Sequence, residues 1–190
     1  MKQLLYISLV TGLFSCGNGT AENTKTENSA DSTGAVFSYT FERFDPSFDA
    51  IVSPDAKAEV IADGFEWSEG SIWVDKYKML LFSDVPMNTV YKWTPEKGKE
   101  VYLTPSGYTG SAPSNRKEPG SNGLTLDPAG NLVLCQHGDR RVSRMDAPLD
   151  NPAAEFIPLV DSYNGKKISS PNDCVFNSSG ELFFTDPPYG

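Results

Sequence analysis

The sequence predicts an all-β protein built from repeated small sheets. One pattern occurs three times: a polar residue, a short apolar strand, a turn, and a second apolar strand. The polar residues are Glu69, Asn122 and Asn172, and they share one register of the pattern. Their spacing of about 50 residues is typical of β-propeller blades rather than of helical solenoids. The chain is therefore predicted to form propeller blades.

Each complete repeat is predicted to contain four short strands, separated by turns rich in Pro, Gly, Asp and Asn. The predicted strands are 71–74, 79–84, 89–94 and 100–104 in the first repeat, and 124–127, 131–136, 141–146 and 155–160 in the second. The third repeat has two strands before the last residue of the sequence. A four-stranded sheet of this size needs neighbouring sheets to cover its faces. Apolar residues that suit this packing are Trp73, Leu81, Phe82, Val133, Phe183 and Phe184.

The segment 58–62 is predicted to be a further strand, because it precedes Glu69 as the fourth strands precede Asn122 and Asn172. In a propeller, such a strand completes the last blade. The sequence has room for about two and a half blades, whereas propellers use four to eight. We therefore expect an N-terminal fragment of a longer protein, interrupted inside its third blade.

The three repeated polar residues are the main candidates for a functional site. The first strand of each propeller blade lines the central channel, so Glu69, Asn122 and Asn172 are expected to converge on the axis. Carboxylate and amide oxygens are ligands that suit Ca²⁺ or a similar divalent cation. Spacing alone leaves a second interpretation open, in which the repeated residues cap turns or end strands.

Composition and charge limit the classes of partner. The chain has 190 residues, 38% of them hydrophobic and 22% charged, with a formal net charge of −9. This composition is that of a globular protein. The negative charge argues against nucleic acid, because no basic patch is present to displace counterions from phosphates. We expect a monomer.

The N-terminus predicts a location in the cell envelope. Lys2 precedes a short apolar run that ends at Cys16, as in the lipobox of bacterial lipoproteins. Residues 1–16 are therefore predicted to be a lipoprotein signal peptide, with Cys16 as the lipidated residue, and a plain signal peptide is the alternative. Residues 17–35 lack large apolar side chains and are predicted to be a flexible linker to the domain at 36–190. The protein is then periplasmic or anchored to the outer membrane, and it meets the membrane only through its lipid.

Two further cysteines and one histidine each have more than one interpretation. Cys135 and Cys174 lie in apolar strands of different repeats and at different registers, which favours two buried thiols over a disulfide but leaves pairing open. His137 follows a second strand and is a candidate base or substrate contact, with a turn histidine as the alternative. Asp186 ends a second strand, and we expect it to fix a turn or to shape the mouth of the pocket.

Several motifs together resemble one family. They are Ser-Glu-Gly-Ser-Ile-Trp at 68–73, Leu-Leu-Phe-Ser-Asp-Val-Pro-Met-Asn at 80–88, Ser-Asn-Gly-Leu-Thr-Leu-Asp-Pro-Ala-Gly at 121–130, Ser-Pro-Asn-Asp at 170–173 and Phe-Thr-Asp-Pro-Pro-Tyr-Gly at 184–190. The set resembles the gluconolactonase branch of the regucalcin-like (SMP-30/gluconolactonase) family. The resemblance implies a six-bladed propeller with one divalent metal on its axis, usually Ca²⁺, that hydrolyses sugar lactones or related esters.

The resemblance also implies roles for individual residues. Glu69 and Asn172 match metal ligands, Asp173 is the adjacent carboxylate, and Asn122 is a possible substrate contact. The family's general base belongs to later blades, so we expect this chain to lack full activity by itself. We predict a metal-dependent hydrolase of a sugar lactone or sugar-acid ester. The alternative is a non-catalytic binding module of the envelope that uses the same axial pocket.

Overall fold

The computed structural model describes residues 39–188. The chain divides into two units, one ending at Val60 and the other beginning at Ile61. In the first unit, the described residues include a 3-10 helix at Pro46–Ala50, which the side chain of Asp45 caps by accepting a hydrogen bond from Ser47 N at 2.8 Å. The candidate signal peptide, the linker and Cys16 lie outside the described residues, and their assignment stays a prediction.

The second unit is almost entirely β-structure. Its strands are β1 (Ser68–Val74), β2 (Met79–Asp84), β3 (Thr89–Thr94), β4 (Gly98–Leu103), β5 (Ser121–Leu126), β6 (Leu132–Gln136), β7 (Arg141–Met145), β8 (Phe156–Val160), β9 (Ser162–Tyr163), β10 (Lys166–Lys167), β11 (Cys174–Phe176) and β12 (Leu182–Phe184). A 3-10 turn at Asp75–Tyr77 joins β1 to β2. The eight strands predicted for the two complete repeats are all present, with ends shifted by a few residues.

The sheets have the topology of propeller blades. Strands β1 to β4 form one antiparallel sheet in chain order, blade 1, and β5 to β8 form a second sheet in the same order, blade 2. Strands β11 and β12 form an antiparallel pair, called the third sheet below, in the position of a third blade. The predicted all-β class and blade architecture are confirmed, with two complete blades and half of a third.

The first two blades share a core of eleven buried residues. Blade 1 contributes Val74, Met79, Leu81, Val90, Tyr102 and Leu103, and blade 2 contributes Leu124, Leu132, Leu134, Met145 and Leu149. Two hydrogen bonds cross the same interface: the Ser83 and Ser121 hydroxyls are 2.8 Å apart, and Tyr102 Oη donates to Leu149 O at 2.9 Å. Because these hydroxyl and carbonyl groups are buried, the hydrogen bonds offset the free-energy cost of removing them from water.

A smaller apolar cluster joins blade 2 to the third sheet. Its buried members are Val133, Cys135, Val142 and Cys174. Side chains alternate between the faces of a strand, and β6 shows this directly. Leu132 and Leu134 enter the core shared with blade 1, whereas Val133 and Cys135 enter the cluster shared with the third sheet.

The predicted packing between blades holds for part of the apolar set. Leu81, Val133 and Phe184 pack in the two clusters. Trp73 and Phe183 are instead 38% and 57% exposed. Strand alternation turns both side chains away from these clusters, and no further sheet covers those faces within residues 39–188.

Two local predictions are corrected. Residues 58–62 are not a strand; a strand needs a neighbouring strand for its hydrogen bonds, and no described strand pairs with this segment. The hairpin of β9 and β10 was not predicted, although its Asn164-Gly165 turn, with φ values of +49° and +75°, is a strong hairpin signal.

No helix within residues 39–188 is long and apolar enough to cross a membrane.

Candidate functional site

The predicted axial residues lie together in the structure. Glu69 belongs to β1, Asn122 to β5, and Asn172 and Asp173 immediately precede β11. They line one pocket of about 250 Å³ with Gly70, Ser71, Gly123 and Leu124. Three sheets therefore contribute to one site, as the repeated register predicts.

Two strand irregularities direct the polar side chains into this pocket. The β1–β2 register shifts between Glu69 and Ile72, and the β5–β6 register shifts between Ser121 and Leu124. A bulge of this kind bends its strand and changes the direction of a side chain. Both blades thus have an irregularity of the same kind at equivalent positions of their first strands.

Glycine is required at both irregularities. Gly70 has φ +58°, and a Cβ atom there would be 2.2 Å from the carbonyl oxygen of Asn122. A Cβ atom at Gly123 would be 2.6 Å from Asp173 Oδ1 and 2.7 Å from Asn172 O. No other residue leaves room for the backbones of neighbouring blades to approach so closely.

Hydrogen bonds hold the site in place. Trp67 Nε1 donates to Glu69 Oε1 at 2.9 Å, and Asn122 Nδ2 donates to Asn172 Oδ1 at 3.3 Å. The backbones are tied as well, because Gly123 N donates to Asn172 O at 2.7 Å. Asn122 is 7% exposed, so its side chain is ordered by packing as well as by this bond.

The support given by Trp67 was not predicted. It lies two residues before Glu69, and in an extended chain such residues point to the same side. That spacing was the available signal. Ser83 was also missed: its hydroxyl donates to Asn122 O at 2.9 Å from the neighbouring blade, and only the packing of the blades brings the two together.

Asp173 is an exposed carboxylate at the edge of the pocket. Its Oδ1 accepts a hydrogen bond from Cys174 N at 2.8 Å, and its own N donates to Thr185 Oγ1 at 3.2 Å. These bonds fix the start of β11, which is where Asn172 also lies.

Asp186 is not among the residues that line the pocket. Its carboxylate accepts hydrogen bonds from the backbone N–H groups of Ser169 and Ser170 at 2.8–2.9 Å. Asp84 in blade 1 accepts equivalent bonds from Glu66 N and Trp67 N, both at 3.2 Å. Both aspartates thus hold the segment that leads into the first strand of their own blade, which supports the turn-fixing role.

His137 occupies a different environment from the pocket residues. It is fully buried and does not line the axial pocket. Its Nδ1 is 3.6 Å from Glu118 Oε2, and within the described part of the chain neither ring nitrogen has a hydrogen-bond partner. Burial, together with the charge of Arg116, lowers the pKa of His137 to about 4. The ring is therefore neutral near pH 7.

The donor set of the pocket suits a hard cation in part. Glu69 offers a carboxylate, and Asn122 and Asn172 offer amide oxygens. Oxygen donors of this kind bind Ca²⁺, which takes six to eight of them. Among residues 39–188 there is no cluster of three or more His, Cys, Asp or Glu residues able to hold a metal. The pocket residues of this chain could supply only part of the coordination shell that such a cation needs.

Comparison with known proteins places this site in a family. The profile of the SMP-30/Gluconolactonase/LRE-like region matches residues 67–190, which contain the whole pocket. The chain belongs to this family. A gluconolactonase of Zymomonas mobilis subsp. mobilis is 39% identical over 173 residues, covering 90% of this chain and 46% of that protein.

Two solved structures agree with the assignment. An X-ray structure of a protein assigned as a gluconolactonase has 33% identity and a TM-score of 0.63, covering 76% of this chain and 44% of its own. A gluconolactonase of Xanthomonas campestris has 31% identity and a TM-score of 0.55, covering 67% of this chain and 37% of its own. This chain thus spans less than half the length of these relatives.

Proposed function

We propose that the full-length protein hydrolyses a sugar lactone and that the axial pocket is part of its active site. The observation that carries the proposal is the convergence of Glu69, Asn122 and Asn172 from three sheets on one pocket, in a chain of this family. The similar proteins from Zymomonas mobilis and Xanthomonas campestris are gluconolactonases. A pocket of 250 Å³ is at the small end for ligand sites and suits a compact ligand.

Glu69 and Asn172 are proposed to hold a divalent cation, Ca²⁺ in the first instance. A bound cation of this kind polarises a lactone carbonyl and stabilises the negative charge that develops on its oxygen. The carboxylate of Glu69 is held by the indole N–H of Trp67, which restricts its rotation. The oxygen of Asn172 has two acceptor sites, so it can accept the Asn122 N–H and still bind a cation.

Asn122 and Asp173 are proposed to orient the substrate. An amide NH₂ group has two donors, and Asn122 uses one of them to hold Asn172. The other can donate to a sugar hydroxyl or to the ring oxygen. Asp173 is exposed at the pocket and can accept a hydrogen bond from a hydroxyl. The general base is proposed to come from the part of the propeller that the relatives have beyond this chain.

The decisive experiment replaces Glu69 in the full-length protein. Glu69→Gln keeps the size of the side chain and removes its charge, and we expect kcat/KM for gluconolactone to fall by about 100-fold or more, because a neutral amide replaces a negatively charged ligand of the cation. Ca²⁺ affinity, measured by calorimetry, falls in parallel. Glu66→Gln is the matched control, since Glu66 is an exposed carboxylate outside the pocket, and it leaves both values unchanged.

Other outcomes would contradict the proposal in distinct ways. Undiminished Ca²⁺-dependent hydrolysis by Glu69→Gln would remove Glu69 from the metal site. Binding of Ca²⁺ or of a sugar acid without turnover by the wild-type protein would favour the non-catalytic binding module instead.

We also propose that Cys16 carries a lipid that anchors the protein to the cell envelope. The support is the sequence pattern that ends at Cys16. Cys16→Ser should move the protein from the membrane fraction to the soluble fraction. A protein that stays with the membrane after this change would refute the anchor.

A further inference from the structure

Two buried cysteines face each other across the junction of blade 2 and the third sheet. Cys135 lies in β6 and Cys174 begins β11, and both belong to the small cluster with Val133 and Val142. Cys135 is fully buried and Cys174 is 8% exposed. Both thiols are free in the structure. Their different registers within the repeat do not keep them apart, because the two sheets pack face to face.

The backbones of blade 2 and of the segment before β11 approach closely beside the two cysteines, at Gly123 and Asn172. Packed sheets are ordinarily about 10 Å apart, too far for a disulfide, whose Cα atoms are usually separated by roughly 4.4–6.8 Å. Here the β5–β6 ladder is irregular beside Cys135, between the pairs Leu124–Leu134 and Ser121–Gln136. Gly123 lies in that irregularity.

Gly123 brings the start of β11 against blade 2. Gly123 N donates to Asn172 O at 2.7 Å, and a Cβ atom on Gly123 would be 2.8 Å from Asp173 Cα. Cys174 is the next residue after Asp173. The absence of a side chain on Gly123 therefore allows the sheets to be closer at the two cysteines than a typical sheet packing allows.

We propose that Cys135 and Cys174 form a disulfide that fastens the third sheet to blade 2 beside the axial pocket. The reaction is thiol–disulfide exchange with a small-molecule or protein disulfide as oxidant. One thiolate attacks the oxidant and displaces a thiol; the second cysteine then attacks the mixed disulfide and displaces the other. Two protons and two electrons leave the cysteines, and the oxidant is reduced to two thiols.

The bond would support a sheet whose strands are short compared with those of blade 2. Strands β11 and β12 have three residues each, whereas β5 to β8 have five or six. Asn172 and Asp173 lie directly before Cys174. A covalent link at Cys174 therefore also holds two pocket residues against Asn122 and Gly123.

The same burial determines when the bond can form. Contact with the Cys174 thiol and burial together raise the pKa of Cys135 well above its usual value. The thiolate is the reactive form, so the closed structure reacts slowly with oxidant and with reductant. The disulfide forms while the third sheet is open, during folding or local opening, and is then protected.

The test is a disulfide map of the full chain. The protein is folded in a buffer of oxidised and reduced glutathione, denatured, alkylated without reductant and digested with trypsin. Cleavage after Lys117, Arg140 and Lys167 places Cys135 in peptide 118–140 and Cys174 in the peptide that begins at residue 168, while Cys16 of the unprocessed chain is in peptide 3–25. We expect the peptides that contain Cys135 and Cys174 to be joined, with two hydrogens fewer than the separate thiol peptides.

Two variants keep the result interpretable. Cys16→Ser removes the third cysteine and should leave the joined peptides unchanged. Cys174→Ser should abolish them and leave Cys135 alkylated or joined to glutathione. The proposal is overturned if the folded wild-type protein yields both peptides alkylated or each joined to glutathione, or if Cys16 is the partner of either cysteine. None of these readouts depends on lactone hydrolysis, so the disulfide and the proposed activity stand or fall separately.

Discussion

The axial pocket and the surroundings of His137 show two ways in which this chain places polar side chains. In the pocket, Glu69, Asn122 and Asn172 come from three sheets, and hydrogen bonds from neighbouring side chains hold them. His137 lies in the same blade as Asn122, but it is fully buried and 3.6 Å from Glu118. Its neutral ring offers no charge to the pocket near pH 7.

This contrast indicates that position in the repeat is a better guide to the site than the chemistry of a single residue. A lone histidine is a frequent catalytic group, and the asparagines are weaker candidates when each is taken alone. The asparagines nevertheless reach the pocket, because the first strands of successive blades converge. Four predictions test this contrast, beginning with the largest expected effect.

Of the four changes, replacing Gly123 by Ala should have the largest effect on the site. The new Cβ atom would be 2.6–2.8 Å from Asn172 and Asp173 atoms, so the third sheet must move. We expect activity of the full-length protein to fall about 100-fold, as small misplacements of reacting groups do, and the free energy of unfolding to fall by roughly 1–3 kcal/mol. Kinetic assays and urea unfolding measure the two effects.

Gly130→Ala is the matched control for that change. Gly130 lies in a turn of the same blade with φ +85°, and a Cβ atom there would have no neighbouring atom within 4 Å. The substitution should cost about 1 kcal/mol of strain without loss of kcat/KM. Equal activity in the two variants would show that close approach of the sheets is not needed by the site.

The second prediction compares Asn172→Ala with His137→Gln. Asn172→Ala should lower Ca²⁺ affinity and kcat/KM by about 10- to 100-fold, because it removes a pocket oxygen and the partner of Asn122. His137→Gln should change kcat/KM by less than about threefold at neutral pH, since His137 does not line the pocket. A larger loss of kcat/KM in His137→Gln than in Asn172→Ala would mean that His137, rather than Asn172, belongs to the active site.

The third prediction concerns stability and pH. The pKa of His137 is lowered from 6.5 to about 4 in the folded protein. As pH falls, His137 is therefore protonated in the unfolded chain at a higher pH than in the folded protein. This contribution to stability is fully present above pH 6.5 and is lost as pH falls from 6.5 towards 4. It amounts to at most about 3 kcal/mol, and the Glu118 carboxylate reduces it.

Urea unfolding of the wild-type protein and His137→Gln at several pH values isolates this contribution. The difference in unfolding free energy between them should decrease as pH falls from 6.5 to 4. A constant difference would show that His137 titrates alike in the folded and unfolded chains.

The smallest effect is expected for Trp67→Phe. This change keeps an aromatic ring and removes the N–H that donates to Glu69 Oε1 at 2.9 Å. A hydrogen bond of this kind contributes about 0.5–1.5 kcal/mol, so Ca²⁺ affinity should fall by roughly 2- to 10-fold. Calorimetry measures this, and unchanged affinity would mean that Trp67 does not orient Glu69.

Much of the fold could be predicted because its signals are local. Apolar runs separated by turn residues indicated the strands of both complete blades, and the repeat spacing indicated their order. The incorrect predictions concern properties that depend on contacts with other sheets. Residues 58–62 have the position of a fourth strand in the repeat, but no described strand pairs with them. Trp73 and Phe183 have the character of packed residues, but they face outwards.

The candidate site was predictable to a similar extent. The common register of Glu69, Asn122 and Asn172 indicated that they meet, and Asp173 followed from its position beside Asn172. The support from Ser83 was not predictable, because Ser83 reaches Asn122 from another blade. Cys135 and Cys174 are buried and free, as the sequence favoured, but their entry into one cluster could not be predicted, because it depends on the stacking of the blades.

Patterns along the chain were enough to predict the all-β class, the repeat, the family and the polar residues that line the pocket. The packing of the blades was needed to establish which of these residues touch, which glycines are indispensable, and that His137 is buried away from the pocket. Those properties depend on atoms from different blades, and their distances are set by sheet packing rather than by spacing in the sequence.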